Sequence, residues 1–275
     1  MGKLVEKLQQ VGQAAGGGFG FLRSRGPERA PRPAAVLVSL GAKDVAGAEA
    51  AVKNGADGVM VSGWRPGMDL GGIKGVVESN GTVWGVAYDG EGKATGDALR
   101  SLQEAGAGFA IIASDAPAGL LFEDLEQFDL GIAAEVPKDD LGLVLQRAEN
   151  LLPAKVALVQ TQLTNADLER LTVSAFARLR LACEALRFPK LIAVDDAPEG
   201  GSVRLLVRLG VSGIVLSGAG VSGETLGAQV KALREELEKI PAREEDRDRG
   251  SVAIGGLMEA SSKSSQMPAP EPEKE

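Results

Sequence analysis

The chain contains two stretches of one pattern, Gly55-Ala56-Asp57-Gly58-Val59-Met60-Val61-Ser62-Gly63 and Gly210-Val211-Ser212-Gly213-Ile214-Val215-Leu216-Ser217-Gly218. In each stretch a glycine follows a segment with helical spacing, and a short apolar run then ends in serine and glycine. Glycine commonly closes helices, and an uninterrupted apolar run of this length is typical of a parallel strand that is buried on both faces. Each stretch therefore predicts the end of a helix followed by a parallel β-strand.

The same alternation continues on both sides of these stretches until it has occurred eight times. The predicted strands are Ala35–Leu40, Gly58–Ser62, Val83–Tyr88, Phe109–Ser114, Gly131–Val136, Lys155–Gln160, Leu191–Asp195 and Gly213–Ser217. Strand–helix units that keep their strands parallel close naturally into a barrel at this number, so we predict an α/β fold, the (β/α)8 TIM barrel. An open doubly wound sheet is the alternative. The weakest helical segment is 118–128, which has room for only about three turns.

Charge divides the chain into three parts with net charges of +4 (residues 1–33), −9 (34–240) and −3 (241–275). The first part contains a run of glycines and ends in Pro and Arg, and the last is rich in Ser, Lys, Pro and Glu. Both compositions are typical of flexible extensions. We therefore predict a basic, partly amphipathic N-terminal extension, a barrel over 34–240 and a disordered charged tail.

The composition excludes several kinds of chemistry. The 275 residues include no histidine and one cysteine, Cys183, so Ser-His-Asp and Cys-His machinery and histidine-based zinc sites are impossible. Cys183 lies in an apolar helical run, which indicates a core thiol rather than a reactive one. The acidic body argues against nucleic-acid binding. The lack of a signal-peptide pattern, of a cysteine pair and of an apolar span of about 18 residues predicts a cytoplasmic protein without a transmembrane segment.

Polar residues cluster at the C-terminal ends of the predicted strands, where barrels of this kind carry their sites. Because side chains alternate along a strand, Asp89, Glu135 and Asp195 are expected to point inward, each beyond a small residue two positions earlier. Three converging carboxylates predict a Mg²⁺ or Mn²⁺ site. Alternatively, they supply a general acid and base, or they cap the next helix, as Asp115 is placed to do.

Neighbouring strand ends supply candidate ligand-binding groups. Arg65 could hold a substrate carboxylate or phosphate, with Trp64 as a stacking wall, or it could pair with Asp89. Tyr88 could donate a proton or pack. Hydroxyl and amide groups come from Ser62, Ser114, Gln160 and Ser217.

Glycine-rich loops after the last two strands predict a phosphate cradle formed by Gly200, Gly201, Ser217 and Gly218, because glycine lets backbone amides approach an anion. Tight turns between strand and helix explain the same glycines without a ligand. Asp196, Glu199 and Glu224 would surround such a cradle and repel a phosphate.

The two opening stretches resemble the helix-to-strand segments of phosphate- and flavin-binding TIM barrels. This resemblance implies a phosphorylated ligand or FMN. However, no lysine ends any predicted strand, so the Schiff-base lysine of class I aldolases is absent, and the lysine that steadies reduced flavin has no counterpart. FMN is therefore the weaker expectation and Mg²⁺ or Mn²⁺ the stronger.

Two segments outside the predicted barrel carry apolar residues. Residues 3–11 form a basic amphipathic pattern, so the segment 1–25 could contact a membrane surface or a partner protein, or pack against the bottom of the barrel. Residues 250–258 form an apolar island similar to the peptides that load cargo into encapsulin shells, with Gly256 in place of the usual serine. A docking peptide and an incidental apolar patch are both consistent with it.

Together these features predict a barrel that binds a small anionic metabolite, phosphorylated or carboxylate, and acts as a metal-assisted lyase or isomerase through Asp89, Glu135 and Asp195. The alternative is a non-catalytic barrel that serves as scaffold or cargo and docks a partner through its extensions.

Overall fold

A computed structural model describes residues 2–12, 32–90 and 94–240. Eight parallel strands close into a barrel in sequence order, and β1 pairs with β8 from Ala35↔Gly213 to Ser39↔Ser217. This pairing confirms the (β/α)8 barrel and excludes the open sheet. The strands are β1 (Ala35–Leu40), β2 (Gly58–Val61), β3 (Val83–Tyr88), β4 (Phe109–Ile112), β5 (Asp129–Glu135), β6 (Val156–Leu163), β7 (Lys190–Val194) and β8 (Gly213–Ser217).

Helices surround the barrel except between β4 and β5. They are α2 (Val45–Lys53), α3 (Gly71–Ser79), α4 (Gly96–Glu104), α5 (Asp140–Ala148), α6 (Asn165–Glu169), α7 (Val173–Ala185), α8 (Gly200–Arg208) and α9 (Gly223–Glu238). A further helix, α1 (Lys3–Gly12), precedes β1. The weakest helical segment of the sequence contains only a 3₁₀ turn, Ala118–Phe122, which begins after Pro117 without a side-chain cap. The ring of Phe122 is consequently 69% exposed.

Glycines within the barrel strands make room for side chains that fill the barrel. A Cβ atom at Gly213 would lie 2.7 Å from Leu191 Cδ2, and one at Gly85 would meet the carbonyl oxygen and ring of Phe109. Leu37, Phe109 and Leu191 belong to the apolar cluster inside the barrel. Close packing of this interior therefore explains these glycines without any ligand.

Helix α1 closes the bottom of the barrel. Leu4 and Leu8 are 1% and 4% exposed and pack into the interior cluster. The buried Asp129 at the start of β5 accepts a hydrogen bond from the Val5 N–H at 2.9 Å, a favourable place for a carboxylate because the first turn of a helix has free N–H groups. Of the alternatives for this amphipathic segment, packing against the barrel is the one that the structure shows.

A buried ion pair fixes the chain where it enters β1. Arg32 Nη2 lies 2.9 Å from Asp57 Oδ1, and both side chains are at most 4% exposed. Asp57 Oδ2 accepts a hydrogen bond from the Val36 N–H at 2.9 Å. The aspartate of the first opening stretch is therefore structural.

Several expectations fall outside the described residues. These are the predictions for residues 13–31 and for the tail 241–275, including the apolar island at 250–258. Within the described residues, no helix is both long and apolar enough to cross a membrane.

Candidate functional site

A cavity of about 1160 Å³ opens at the C-terminal ends of the strands. Asp89, Glu135 and Asp195 all line it, as the alternation of side chains predicts. The predicted polar neighbours Ser62, Ser114, Gln160 and Ser217 line it as well. We call this space the mouth cavity. The structure thus brings seven of the predicted site residues to one place.

The floor of the mouth cavity is formed by the inward residues one pleat below the polar groups. Beneath the three carboxylates lie Ala87, Ala133 and Ala193. The floor is completed by larger apolar side chains, among them Met60, Ile111, Leu158 and Val215. The alanines on β3, β5 and β7 therefore leave space for a ligand above the packed core of the barrel.

An irregularity in β6 shapes one side of the cavity. The pairing of β6 with β7 passes from Val159↔Ile192 to Leu163↔Val194, so β6 contains two more residues than β7 over this interval. The Thr161 hydroxyl donates to the Ala193 carbonyl oxygen at 2.6 Å, and the Asp195 N–H donates to the Leu163 carbonyl oxygen at 3.2 Å. Bulges often lie beside functional sites because they redirect side chains, and this one fixes the backbone of Asp195.

Two of the predicted polar groups are already engaged within the protein. The Ser62 hydroxyl donates to the Leu40 carbonyl oxygen at 3.1 Å. Tyr88 is 2% exposed, and its hydroxyl donates to the Gly90 carbonyl oxygen at 3.2 Å. These contacts favour a packing role for Tyr88 over proton donation.

The structure does not bring Trp64 and Arg65 into the mouth cavity. Trp64 is 3% exposed and packs edge-on against Tyr88, with ring centroids 6.1 Å apart. Arg65 lies exposed in the turn that follows, and neither side chain lines the cavity. Sequence reasoning could not detect this because a residue just past a strand end can turn outward.

The predicted phosphate cradle is divided between two places. Ser217 lines the mouth cavity, whereas Gly218 is buried, and a Cβ there would lie 3.1 Å from the Ser39 carbonyl oxygen. Gly200 and Gly201 line a second cavity of about 1300 Å³ between α6, α8 and α9. Of the described residues, no lysine or arginine lines that cavity. Its charged side chains there are the four carboxylates Glu169, Asp196, Glu199 and Glu236.

Three charged residues of the mouth cavity were missed as ligand-binding groups. Asp115, expected to cap a helix, lines the cavity instead, and the 3₁₀ turn after it has no side-chain cap. Lys138, three residues beyond Glu135, and Arg178 on α7 also line it. The position of Lys138 shortly after a strand end is a usable sequence signal, but nothing in the pattern of α7 distinguishes Arg178.

The three predicted metal ligands share the cavity without forming a compact cluster. Among the residues that the structure describes, no group of three Asp, Glu or Cys side chains is arranged to hold a metal ion. A preformed centre of the kind that binds a cation by protein oxygens alone is therefore not present in that part of the chain. Mg²⁺ or Mn²⁺ at Asp89, Glu135 and Asp195 stays a prediction.

Comparison with known proteins identifies the fold but no family. No family model and no curated protein matches the chain. Among solved structures, thiamine phosphate pyrophosphorylase from Pyrococcus furiosus has a TM-score of 0.53 at 12% identity and covers 75% of this chain and 98% of its own. N-(5'-phosphoribosyl)anthranilate isomerase from the same organism has a TM-score of 0.54 at 14% identity, covering 74% and 100%.

Tryptophan synthase from M. tuberculosis has a TM-score of 0.56 at 15% identity and covers 75% of this chain and 93% of its own. At such low identity these likenesses establish the fold alone. The chain is a TIM barrel.

Proposed function

We propose that the mouth cavity binds a small anionic metabolite and that its carboxylates transfer protons in a lyase or isomerase reaction. The observation that carries this proposal is the meeting of Asp89, Glu135 and Asp195, from three different strands, in one cavity. Three of the structures similar to this chain are, by their names, a thiamine phosphate pyrophosphorylase, a tryptophan synthase and an N-(5'-phosphoribosyl)anthranilate isomerase, which is consistent with an enzyme that acts on a small metabolite.

Glu135 and Asp195 are the proposed acid and base. Glu135 is the last residue of β5 and Asp195 directly follows β7, and these strands lie on either side of β6. A ligand in the cavity would therefore lie between the two carboxylates. With no histidine in the chain, carboxylates are the side chains in this cavity best suited to take a proton from carbon and return it. In this proposal Gln160, which lies between them on β6, donates its amide N–H to the developing enolate oxygen.

Mg²⁺ or Mn²⁺ is a second part of the proposal. Magnesium is commonly bound through one or two carboxylates and completed by oxygens of the substrate. Binding of that kind does not require a preformed cluster, so it fits carboxylates that share a cavity without converging on one point. No step of the proposed proton transfer depends on the ion.

Proton exchange tests the proposal without knowledge of the full reaction. The wild-type protein is incubated in D₂O with 2-oxo acids, hydroxy acids and sugar phosphates, and loss of the proton next to the carbonyl or hydroxyl carbon is followed by ¹H NMR. We expect exchange into at least one compound, reduced at least about 100-fold in Glu135→Gln or Asp195→Asn. Asp69→Asn, at an exposed position outside the cavity, is the matched control. Exchange that is absent throughout, or equal in all four proteins, would overturn the proposal.

A further inference from the structure

One side of the mouth cavity is apolar. Beyond the strand ends, the cavity lies against Leu163 at the end of β6 and against one face of α7. The irregularity in β6 leaves Leu163 opposite Val194, the last residue of β7. We call this part the β6–α7 side. Its apolar lining is Val136, Pro137, Leu163, Leu171, Ala175 and Leu179.

Two cations line this same side among the described residues. Lys138 follows β5, and Arg178 lies on α7 next to Leu179. Other basic residues near acidic ones form ion pairs, such as Arg100 with Glu123 and Arg180 with Glu184. Neither Lys138 nor Arg178 forms an ion pair or a side-chain hydrogen bond with any described residue. In a protein of net charge −8, two unpaired cations in one cavity are available to a bound anion.

The charges of the cavity also restrict the kind of anion. Among the residues that the structure describes, four carboxylates and two cations line it; the carboxylates are Asp89, Asp115, Glu135 and Asp195. A doubly charged phosphate would therefore meet more repulsion than a singly charged carboxylate, because each added charge interacts with all four. Arginine binds a carboxylate through two parallel N–H···O bonds. A carboxylate therefore offers Arg178 a well-matched partner although it carries less charge than a phosphate.

Building on the proposed function, we infer that the substrate is an amphipathic carboxylic acid. Its carboxylate binds Lys138 and Arg178, and its apolar group, about as large as a leucine or phenylalanine side chain, packs against Leu163, Leu171 and Leu179. The end of the molecule that reacts then extends toward Glu135 and Asp195. This assignment narrows the substrate from small anions in general to apolar carboxylates.

Four small probes separate the two parts of the inference: acetate, phenylacetate, inorganic phosphate and phenyl phosphate. Isothermal titration calorimetry of the full chain measures each Kd. We expect phenylacetate to bind at least about tenfold more tightly than acetate, because burial of a phenyl group contributes at least that factor. We also expect it to bind more tightly than phenyl phosphate.

Variants then assign the binding to residues. Arg178→Gln and Lys138→Gln should each raise the Kd for phenylacetate by about tenfold. Leu171→Ala should raise the Kd for phenylacetate but not for acetate. Arg204→Gln and Lys43→Gln change exposed basic residues outside the cavity and should bind like the wild type. Circular dichroism verifies that each variant is folded.

Three results would overturn the inference: no binding of any probe, tighter binding of phenyl phosphate than of phenylacetate, or unchanged binding in both Arg178→Gln and Lys138→Gln. These outcomes are distinct from failure of the proposed function. If phenylacetate binds through Arg178 while proton exchange is absent, the reaction is wrong and the binding site is right. If proton exchange depends on Glu135 while phenylacetate binds independently of Arg178, the proposed reaction is right and the inferred binding site is wrong.

Discussion

At the scale of single residues, the position of an aspartate along its strand decides its role. Asp57 precedes β2 and is buried against Arg32, whereas Asp195 follows β7 and lines the mouth cavity. Both were visible in the sequence next to apolar runs. The direction of the strand separates them, because all the C-terminal ends of a parallel barrel lie at one face. The same rule predicts that Asp89 and Glu135 lie at this face, and both line the mouth cavity. It could not tell that Trp64 packs into the core.

Arg32 and Asp57 provide a test of this structural role. Arg32→Met leaves the Asp57 carboxylate buried without a counter-charge, so we expect the free energy of unfolding to fall by about 3–5 kcal/mol. Urea denaturation followed by circular dichroism measures the loss. The control is Arg100→Met, which removes a half-exposed pair with Asp97 and Glu123 and should cost at most about 1 kcal/mol. Equal losses in the two variants would contradict the structural role of the buried pair.

Cys183 tests the prediction of a core thiol. It is 0% exposed, and burial raises the pKa of its thiol from 9.0 to about 11. Because only the thiolate reacts, we expect iodoacetamide at pH 8 to leave the folded protein unmodified and to alkylate it in urea. Mass spectrometry gives an unambiguous readout, since the chain has no other cysteine.

The raised pKa also predicts how stability depends on pH. The folded state favours the protonated thiol, so the contribution of Cys183 to the free energy of unfolding is fully present below pH 9 and is lost as the pH rises toward 11.

The alkylation experiment has one contrary outcome. Alkylation of the native protein at the rate seen in urea would show that the helix around Cys183 opens.

At the scale of elements, the sequence was most informative where one strand or helix has a strong pattern of its own. The bounds of β1, β3 and β8 agree with their apolar runs, since a glycine, a proline or a polar residue lies at or within two residues of each end. The bulge in β6 was not predicted, because it depends on pairing with β7 rather than on the pattern of either strand. The missing helix after β4 was signalled only by the shortness of its segment.

Helix α1 tests whether an element outside the predicted barrel region contributes to its core. Leu8→Ala removes a side chain that is 4% exposed and belongs to the interior cluster, so we expect a loss of about 2–5 kcal/mol in the free energy of unfolding. Leu151→Ala changes a leucine that is 88% exposed and should have an effect within about 0.5 kcal/mol. Urea denaturation compares the two. Similar small effects would mean that α1 does not close the barrel in solution.

At the scale of the whole molecule, the two ends of the barrel differ in what fills them. The bottom is closed by apolar side chains of α1, and the opposite end holds a cavity that four carboxylates and two cations of the described residues line. The sequence predicted this polarity through its strand ends. It did not predict the distribution of cations within the cavity, because Arg178 reaches it from a helix that is distant from the strand ends in sequence.

The excess of negative charge predicts how salts affect stability. Because the chain carries a net charge of −8, screening should raise the thermal midpoint of unfolding as NaCl increases. In the absence of substrate, MgCl₂ or MnCl₂ at the same ionic strength should produce no larger increase, since the three predicted ligands do not form a preformed cluster. Differential scanning fluorimetry on the wild type and Asp195→Asn makes this comparison. An increase specific to Mg²⁺ or Mn²⁺ that is lost in Asp195→Asn would instead show that the carboxylates bind the ion without help from a substrate.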